Sequence, residues 1–160
     1  MMGSGKSTIG KSLAERLNME FIDTDSVIEK KLSKSVAEIF RTEGEEFFRK
    51  LEMEESIKFA EKERVVIALG GGAFINREIR EKLKKTCFSV WLQLDTNKIF
   101  ERTKNNQKRP LLNINKSKEE FDKLYESRKK IYSLADFKIN CNDKDKNEIV
   151  KEIKNIYEST

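Results

Sequence analysis

Apolar residues along this chain follow two spacings, one helical and one strand-like. Between Thr8 and Leu17 they recur at Ile9, Leu13 and Leu17, the stripe of a helix, with Asn18 placed to end it. Glu20-Phe21-Ile22-Asp23 is a short strand running into Asp23-Thr24-Asp25. Residues 26–32 and 35–40 read as short helices, and 43–62 as a longer one carrying Phe47, Phe48, Leu51 and Phe59. Val65-Val66-Ile67-Ala68-Leu69 is continuously apolar, as in a strand buried on both faces, and opens into Gly70-Gly71-Gly72. Asn76 is placed to cap a helix reaching Lys85. Residues 88–94 form a second buried-type strand and 96–104 a helix. A loop follows at 105–116 around the only proline, Pro110. Ser117 and Glu120 form a capping-box signal for a helix to Tyr132, followed by a strand at 137–140 and a helix at 147–158.

Strands alternating with helices predict an α/β fold, a parallel sheet with right-handed crossovers. No repeat or linker interrupts the 160 residues, so a single domain over 1–160 is expected. Ligands in such sheets bind beyond the carboxyl ends of the strands. The polar ends at residues 23–25 and 70–72 would then meet the start of the chain in one crevice.

That start, Met2-Gly3-Ser4-Gly5-Lys6-Ser7-Thr8, reads as the second half of a phosphate-binding loop, G-x-x-x-x-G-K-[ST]. Glycines let successive amides turn toward phosphate oxygens. The lysine supplies a mobile positive charge, the serine hydroxyl is a ligand for Mg²⁺, and the helix that follows directs its positive end at the same phosphates. The pattern's first glycine would fall just ahead of Met1, and the strand that feeds such loops is not in the sequence.

Charge and composition narrow the classes. The formal charge is +5, from 33 basic against 28 acidic side chains, but lysines interleave with glutamates as on solvated helix faces. No basic stripe points to nucleic acid. No apolar stretch of ~18 residues suggests a membrane span, and residues 1–8 do not read as a leader peptide. Cys87 and Cys141 form no CxxC pair and the chain has no histidine, which argues against zinc. A cytoplasmic protein is expected.

The candidate chemistry has bland alternatives. Asp23 and Asp25 would share a face if strand geometry persists, one serving a metal through water, the other a substrate hydroxyl. They are otherwise solvated turn acids, or Asp25 caps the next helix. Gly70-Gly71-Gly72 allows close approach of backbone to ligand, or is a flexible strand exit. Arg49 either projects into the crevice or pairs on the surface with Glu45, Glu46 or Glu52. Arg128 either enters the site or pairs with Glu126 or Glu120, and Arg102 lies against a base or on a solvated face. Arg109, in Arg109-Pro110-Leu111-Leu112, sits where a closing loop would bring charge to a transferring phosphoryl group.

Together, MGSGKST (2–8), FIDTD with Ile28-Glu29, EIF followed by GEEFFRKLE (38–52), LGGGA (69–73), RPLL (109–112) and SRKKIY (127–132) closely resemble the shikimate kinase family, in its order and across nearly the whole chain. The resemblance implies a P-loop three-layer sandwich, its five-stranded parallel sheet ordered 2-3-1-4-5 with flanking helices. It implies phosphoryl transfer from Mg²⁺-ATP to the 3-hydroxyl of shikimate. A monomer acting on these small molecules is expected. Gly3, Ser4, Gly5, Lys6, Ser7, Thr8, Arg102 and Arg109 would bind nucleotide, with adenine near Asn142 and Asp143. Ser7 and Asp23 would hold the metal, and Lys6, Asp25 and Arg109 would be catalytic. Asp25, Arg49, Gly71, Gly72 and Arg128 would bind shikimate, among helices at about 26–62 and under a lid at about 105–116. The departure is the family's central strand ahead of the phosphate loop. Either the true start lies upstream, the favoured expectation, or the chain is incomplete; without that strand two neighbours would be left with unpaired backbone groups. The alternative is another small-molecule kinase of the same class, gluconate-kinase-like; a substrate without a carboxylate would have no use for Arg49 and Arg128 together. A P-loop GTPase switch would need an Asn-Lys-x-Asp motif, and neither Asn97-Lys98 nor Asn115-Lys116 supplies its aspartate.

Overall fold

The computed structural model describes residues 3–103 and 118–160. In chain order it contains α1 (Lys6–Leu17), β1 (Glu20–Asp23), α2 (Thr24–Leu32), α3 (Val36–Thr42), α4 (Glu45–Phe59) and β2 (Val65–Ala68). A 3₁₀ turn (Ala73–Ile75), α5 (Arg77–Thr86), β3 (Val90–Gln93), α6 (Thr96–Thr103), α7 (Lys118–Tyr132), β4 (Phe137–Asn140) and α8 (Lys146–Glu158) complete it. The loop expected at 105–116 and the capping serine, Ser117, lie outside the described residues.

Local chemistry sets the boundaries. Asn18 ends α1 in the left-handed region, φ 51°. Ser35 and Glu38 form a capping box ahead of α3, and Asp145 and Glu148 another ahead of α8. The helix expected at 43–62 runs from Glu45 to Phe59; Gly44, at φ 88°, sets its start, and Ala60 caps its end. The strand expected at 88–94 is trimmed at its start, where the Asp136 carboxylate accepts from the Ser89 amide at 2.8 Å and its hydroxyl at 2.6 Å.

All strand pairing is parallel. β1 pairs with β2, Ile22 opposite Ile67, and β3 with β4, Leu92 opposite Ile139. These are two separate two-stranded sheets among the described residues. They reproduce the outer pairs of the order 2-3-1-4-5 and leave its middle place open. The main core joins Ile9 and Leu13 of α1 to Trp91, Phe121, Ile139, Val150 and Ile153. A second cluster centres on Ile79 and Leu83. A third, Ile28, Ile39 and Phe48, holds α2, α3 and α4 together. Ile39 is fully buried, so Ile39→Ala should cost about 2–5 kcal/mol and loosen that trio. Among the described residues no helix is long and apolar enough to cross a membrane.

Candidate active site

The phosphate loop needs two backbone conformations that L side chains rarely adopt. Gly3 has φ 73° and Gly5 φ 86°. A Cβ on Gly3 would also come within 2.6 Å of Thr103 Cγ2, so the loop lies directly on α6. Helix α1 starts at Lys6, so its N-terminal turn directly follows the loop. Thr8 lies exposed in that turn.

Ser7 Oγ donates to Asp23 Oδ2 at 2.5 Å, joining the two residues expected at the metal. The other oxygen of Asp23 accepts from the Ser26 amide at 3.2 Å and caps α2. Strand geometry therefore does not continue to Asp25, which occupies the first turn of α2. The acid pair meets the crevice as a helix cap and a helix residue, not as two positions on one strand face, and the cap is Asp23. Thr24, between them, is fully buried; its hydroxyl donates to Ala68 O at 3.4 Å and accepts from the Gly70 amide at 2.9 Å. This residue fixes the end of β1 against the exit of β2.

Four charged side chains gather on the glycine segment. A Cβ on Gly70 would meet Glu52 Oε1 and lie 2.5 Å from Asp25 Oδ1. A Cβ on Gly72 would fall 2.5 Å from Arg49 Nη1 and 2.8 Å from its Cζ. Arg49 bonds Glu52 Oε2 at 2.6 Å and Glu45 at 3.2 Å, and lies over the rings of Phe40 and Phe48 at 5.7 and 5.5 Å. The surface-pair alternative for Arg49 is thus half realised: the partners are right, but the guanidinium turns onto Gly72. Arg128 Nη1 donates to Gly71 O at 3.3 Å, while Glu126 pairs with Lys129 at 3.2 Å.

Glu52 and Tyr132 were not singled out from the sequence. Glu52 is 2% exposed, and among the described residues its Oε1 has no hydrogen-bond partner. Burial pushes its carboxyl above the usual range; Arg49 opposes this and the nearby charge of Asp25 adds to it. Burial works against the charge of Arg49, but Glu52 and Glu45 outweigh it and the guanidinium is held more firmly protonated. The Tyr132 hydroxyl donates to Gly71 O at 2.5 Å, and burial raises it above the normal phenol range. Its signal was spacing: Tyr132 stands four residues after Arg128, on the same face of α7.

Around the other side of the loop, Arg102 is exposed on α6. Its charge acts on Cys141, the residue after β4. Asn142 Oδ1 accepts from the Asp95 amide at 2.8 Å, and Lys98 Nζ donates to Asn142 O at 2.5 Å. These contacts put Asn142 and Arg102 by the carboxyl ends of β3 and β4, beside the helix on which the phosphate loop rests. Arg109 lies outside the described residues.

The shikimate kinase family model matches residues 2–158. The chain is 42% identical over 152 residues to a shikimate kinase of Sulfurihydrogenibium, covering 95% of this chain and 90% of that protein. It is equally identical, over 152 residues, to one of Persephonella marina, covering 95% and 92%. Among solved structures, the shikimate kinase of Acinetobacter baumannii in complex with shikimate superimposes with a TM-score of 0.93 at 32% identity, covering 99% of this chain and 89% of that one. The enzyme of Aquifex aeolicus gives 0.87 at 40% identity, covering 99% and 92%.

Proposed function

The chain belongs to the shikimate kinase family, and from that membership we propose how its residues divide the work. The enzyme is an ATP-dependent kinase that transfers the γ-phosphoryl group to the 3-hydroxyl of shikimate. The observation that carries the assignment of roles is the meeting of Asp25, Arg49, Glu52 and Arg128 on Gly70–Gly72, with Asp25 two residues on from the Asp23 that pairs with Ser7.

In this reading Arg49 and Arg128 hold the substrate carboxylate, with Gly71 and Gly72 beneath it. Two guanidinium forks suit a planar carboxylate better than ammonium groups would. Asp25 accepts a hydrogen bond from the reacting hydroxyl and aims its oxygen at the γ-phosphorus, and Glu52 Oε1 accepts from a second hydroxyl. Gly3, Ser4, Gly5 and Thr8 cradle phosphates, Lys6 follows charge onto the transferring group, and Arg102 borders adenine. Arg109 is assigned to the phosphates by resemblance. Helices α2 to α4 form the substrate wall, and the contribution is positioning plus fixed charge.

Ser7 and Asp23 fit Mg²⁺. Among the described residues no cluster of acids, cysteines or histidines could hold a metal unaided. Mg²⁺ usually takes one or two protein oxygens and completes its shell with phosphates and water. Bound with ATP, it would neutralise charge on the phosphates. The enzyme works as a monomer in the cytoplasm; two free cysteines suit a reducing compartment.

Coupled ADP release with a panel of hydroxy acids, each with ATP or GTP, tests the reading. Turnover with shikimate and ATP is expected. Equal turnover with gluconate, or a preference for GTP, would overturn it.

A further inference from the structure

Two of the three carbonyls in the glycine segment are used within the turn itself. Gly70 O accepts from the Ala73 amide at 3.2 Å, and Gly72 O from the Ile75 amide at 3.0 Å. Gly71 O is held from outside, by two side chains four residues apart on one face of α7. The Tyr132 hydroxyl donates to it at 2.5 Å and Arg128 Nη1 at 3.3 Å.

The two donors differ in freedom. Tyr132 is 5% exposed; its ring stacks on Phe74 of the 3₁₀ turn at 6.4 Å and lies 6.1 Å from the ring of Trp91 on β3. Packing against both rings fixes where the hydroxyl points. Burial also raises that hydroxyl above the normal phenol range, against the opposing charge of Arg128, so it stays a donor at neutral pH. Arg128 is half-buried on a long stem, and its bond to Gly71 O is the longer one.

Arg128 therefore has two claimants, the Gly71 carbonyl and the substrate carboxylate. A guanidinium bonds a charged acceptor about twice as strongly as a neutral one, so the fork turns to the carboxylate when it arrives. The carbonyl it leaves would lose its donor, at a cost in free energy, unless another stays in place. The Gly71–Gly72 peptide also lies between two residues without a Cβ, where the backbone turns over easily. In a trans peptide C=O and N–H point opposite ways, so a donor that keeps Gly71 O toward α7 keeps the Gly72 N–H turned away from it.

We propose that Tyr132 is a positioning residue for the substrate carboxylate: by keeping Gly71 O, it frees the Arg128 fork to turn onto the carboxylate and holds the Gly71–Gly72 peptide in place beneath it. This rests on Arg128 holding the carboxylate.

Tyr132→Phe removes the hydroxyl and keeps the ring on Phe74 and Trp91. The shikimate KM should rise about fivefold, with kcat and the KM for ATP each within about twofold of the parent. The melting temperature and the emission of Trp91, the only tryptophan, should match the parent. The methyl ester of shikimate draws no fork, so its KM should be the same with Tyr132 or Phe. In an Arg128→Gln background Tyr132→Phe should change the shikimate KM by less than about twofold, because the effect runs through Arg128. An unchanged shikimate KM in Tyr132→Phe would overturn the proposal. So would equal rises for acid and ester, a full rise in the Arg128→Gln background, or a lower melting temperature with KM for ATP raised as well, the mark of a merely structural residue. A parent enzyme that treats acid and ester alike would sink the carboxylate assignment itself. A parent that discriminates, beside a Tyr132→Phe variant that discriminates just as fully, would sink this proposal alone.

Discussion

At the scale of single residues, each charged group around Gly70–Gly72 has a separable kinetic signature. Asp25→Asn keeps the shape but weakens the acceptor for the reacting hydroxyl. A loss of about 10²–10⁴ in kcat is expected, with ATP affinity unchanged by titration calorimetry. Arg49→Lys replaces a fork with a point charge, so the shikimate KM should rise about tenfold with kcat less affected. Gly72→Ala should mimic that change without loss of melting temperature, because the new methyl displaces the flexible end of Arg49 and not backbone. Steady-state kinetics with a thermal melt separates the two. Lys6, Ser7, Arg49 and Arg128 stood out in the sequence because their residue types are chemically restrictive in these positions. Glu52 was not. In Glu45-Glu46-Phe47-Phe48-Arg49-Lys50-Leu51-Glu52 it reads as another solvated acid, and only the fold shows that its face of α4 is the buried one.

Among elements, α2 and α4 position this chemistry, and a contact between them is pH-sensitive. Lys31 on α2 bonds Glu55 on α4 at 2.7 Å. That hydrogen bond holds the Glu55 carboxyl below its usual range; burial opposes it, and the charges of Lys31 and Lys58 assist. A depressed folded-state pKa adds stability that is complete above the unfolded value, about 4.3, and disappears as pH falls through the folded one. Lys31 is half exposed, so solvent screening keeps the contribution small. Glu55→Gln should melt lower than the parent at pH 7, and the gap should close below about pH 4. A gap independent of pH would detach Glu55 from Lys31. Helical spacing made these elements visible, while their ends were set by single residues such as Gly44 at φ 88° and Asp23 as a cap. The turn of the chain at Thr24, which puts Asp25 on α2, was not legible because a carboxylate after a strand looks the same whether the chain runs on or turns.

For the whole molecule, the alternation of apolar runs and helical stripes carried the fold class, and glycine clusters at strand ends carried the crevice. The pairing of β2 with β1 and of β3 with β4 was not legible in those runs, which are equally apolar; strand order came from the family resemblance. The cavity of about 630 Å³ between the two sheets, lined by Ile9, Leu13, Leu83, Trp91, Tyr132 and Ile153, was not legible in the sequence, because its walls form only when α1, α5, α7 and α8 pack. The central claim concerns the crevice: two guanidinium groups there select an alcohol that carries a carboxylate. The most direct measurement compares kcat/KM for shikimate and for its methyl ester. The ester, with no charge for Arg49 and Arg128 to hold, should fall by about 100-fold or more; equal values for acid and ester would contradict the claim.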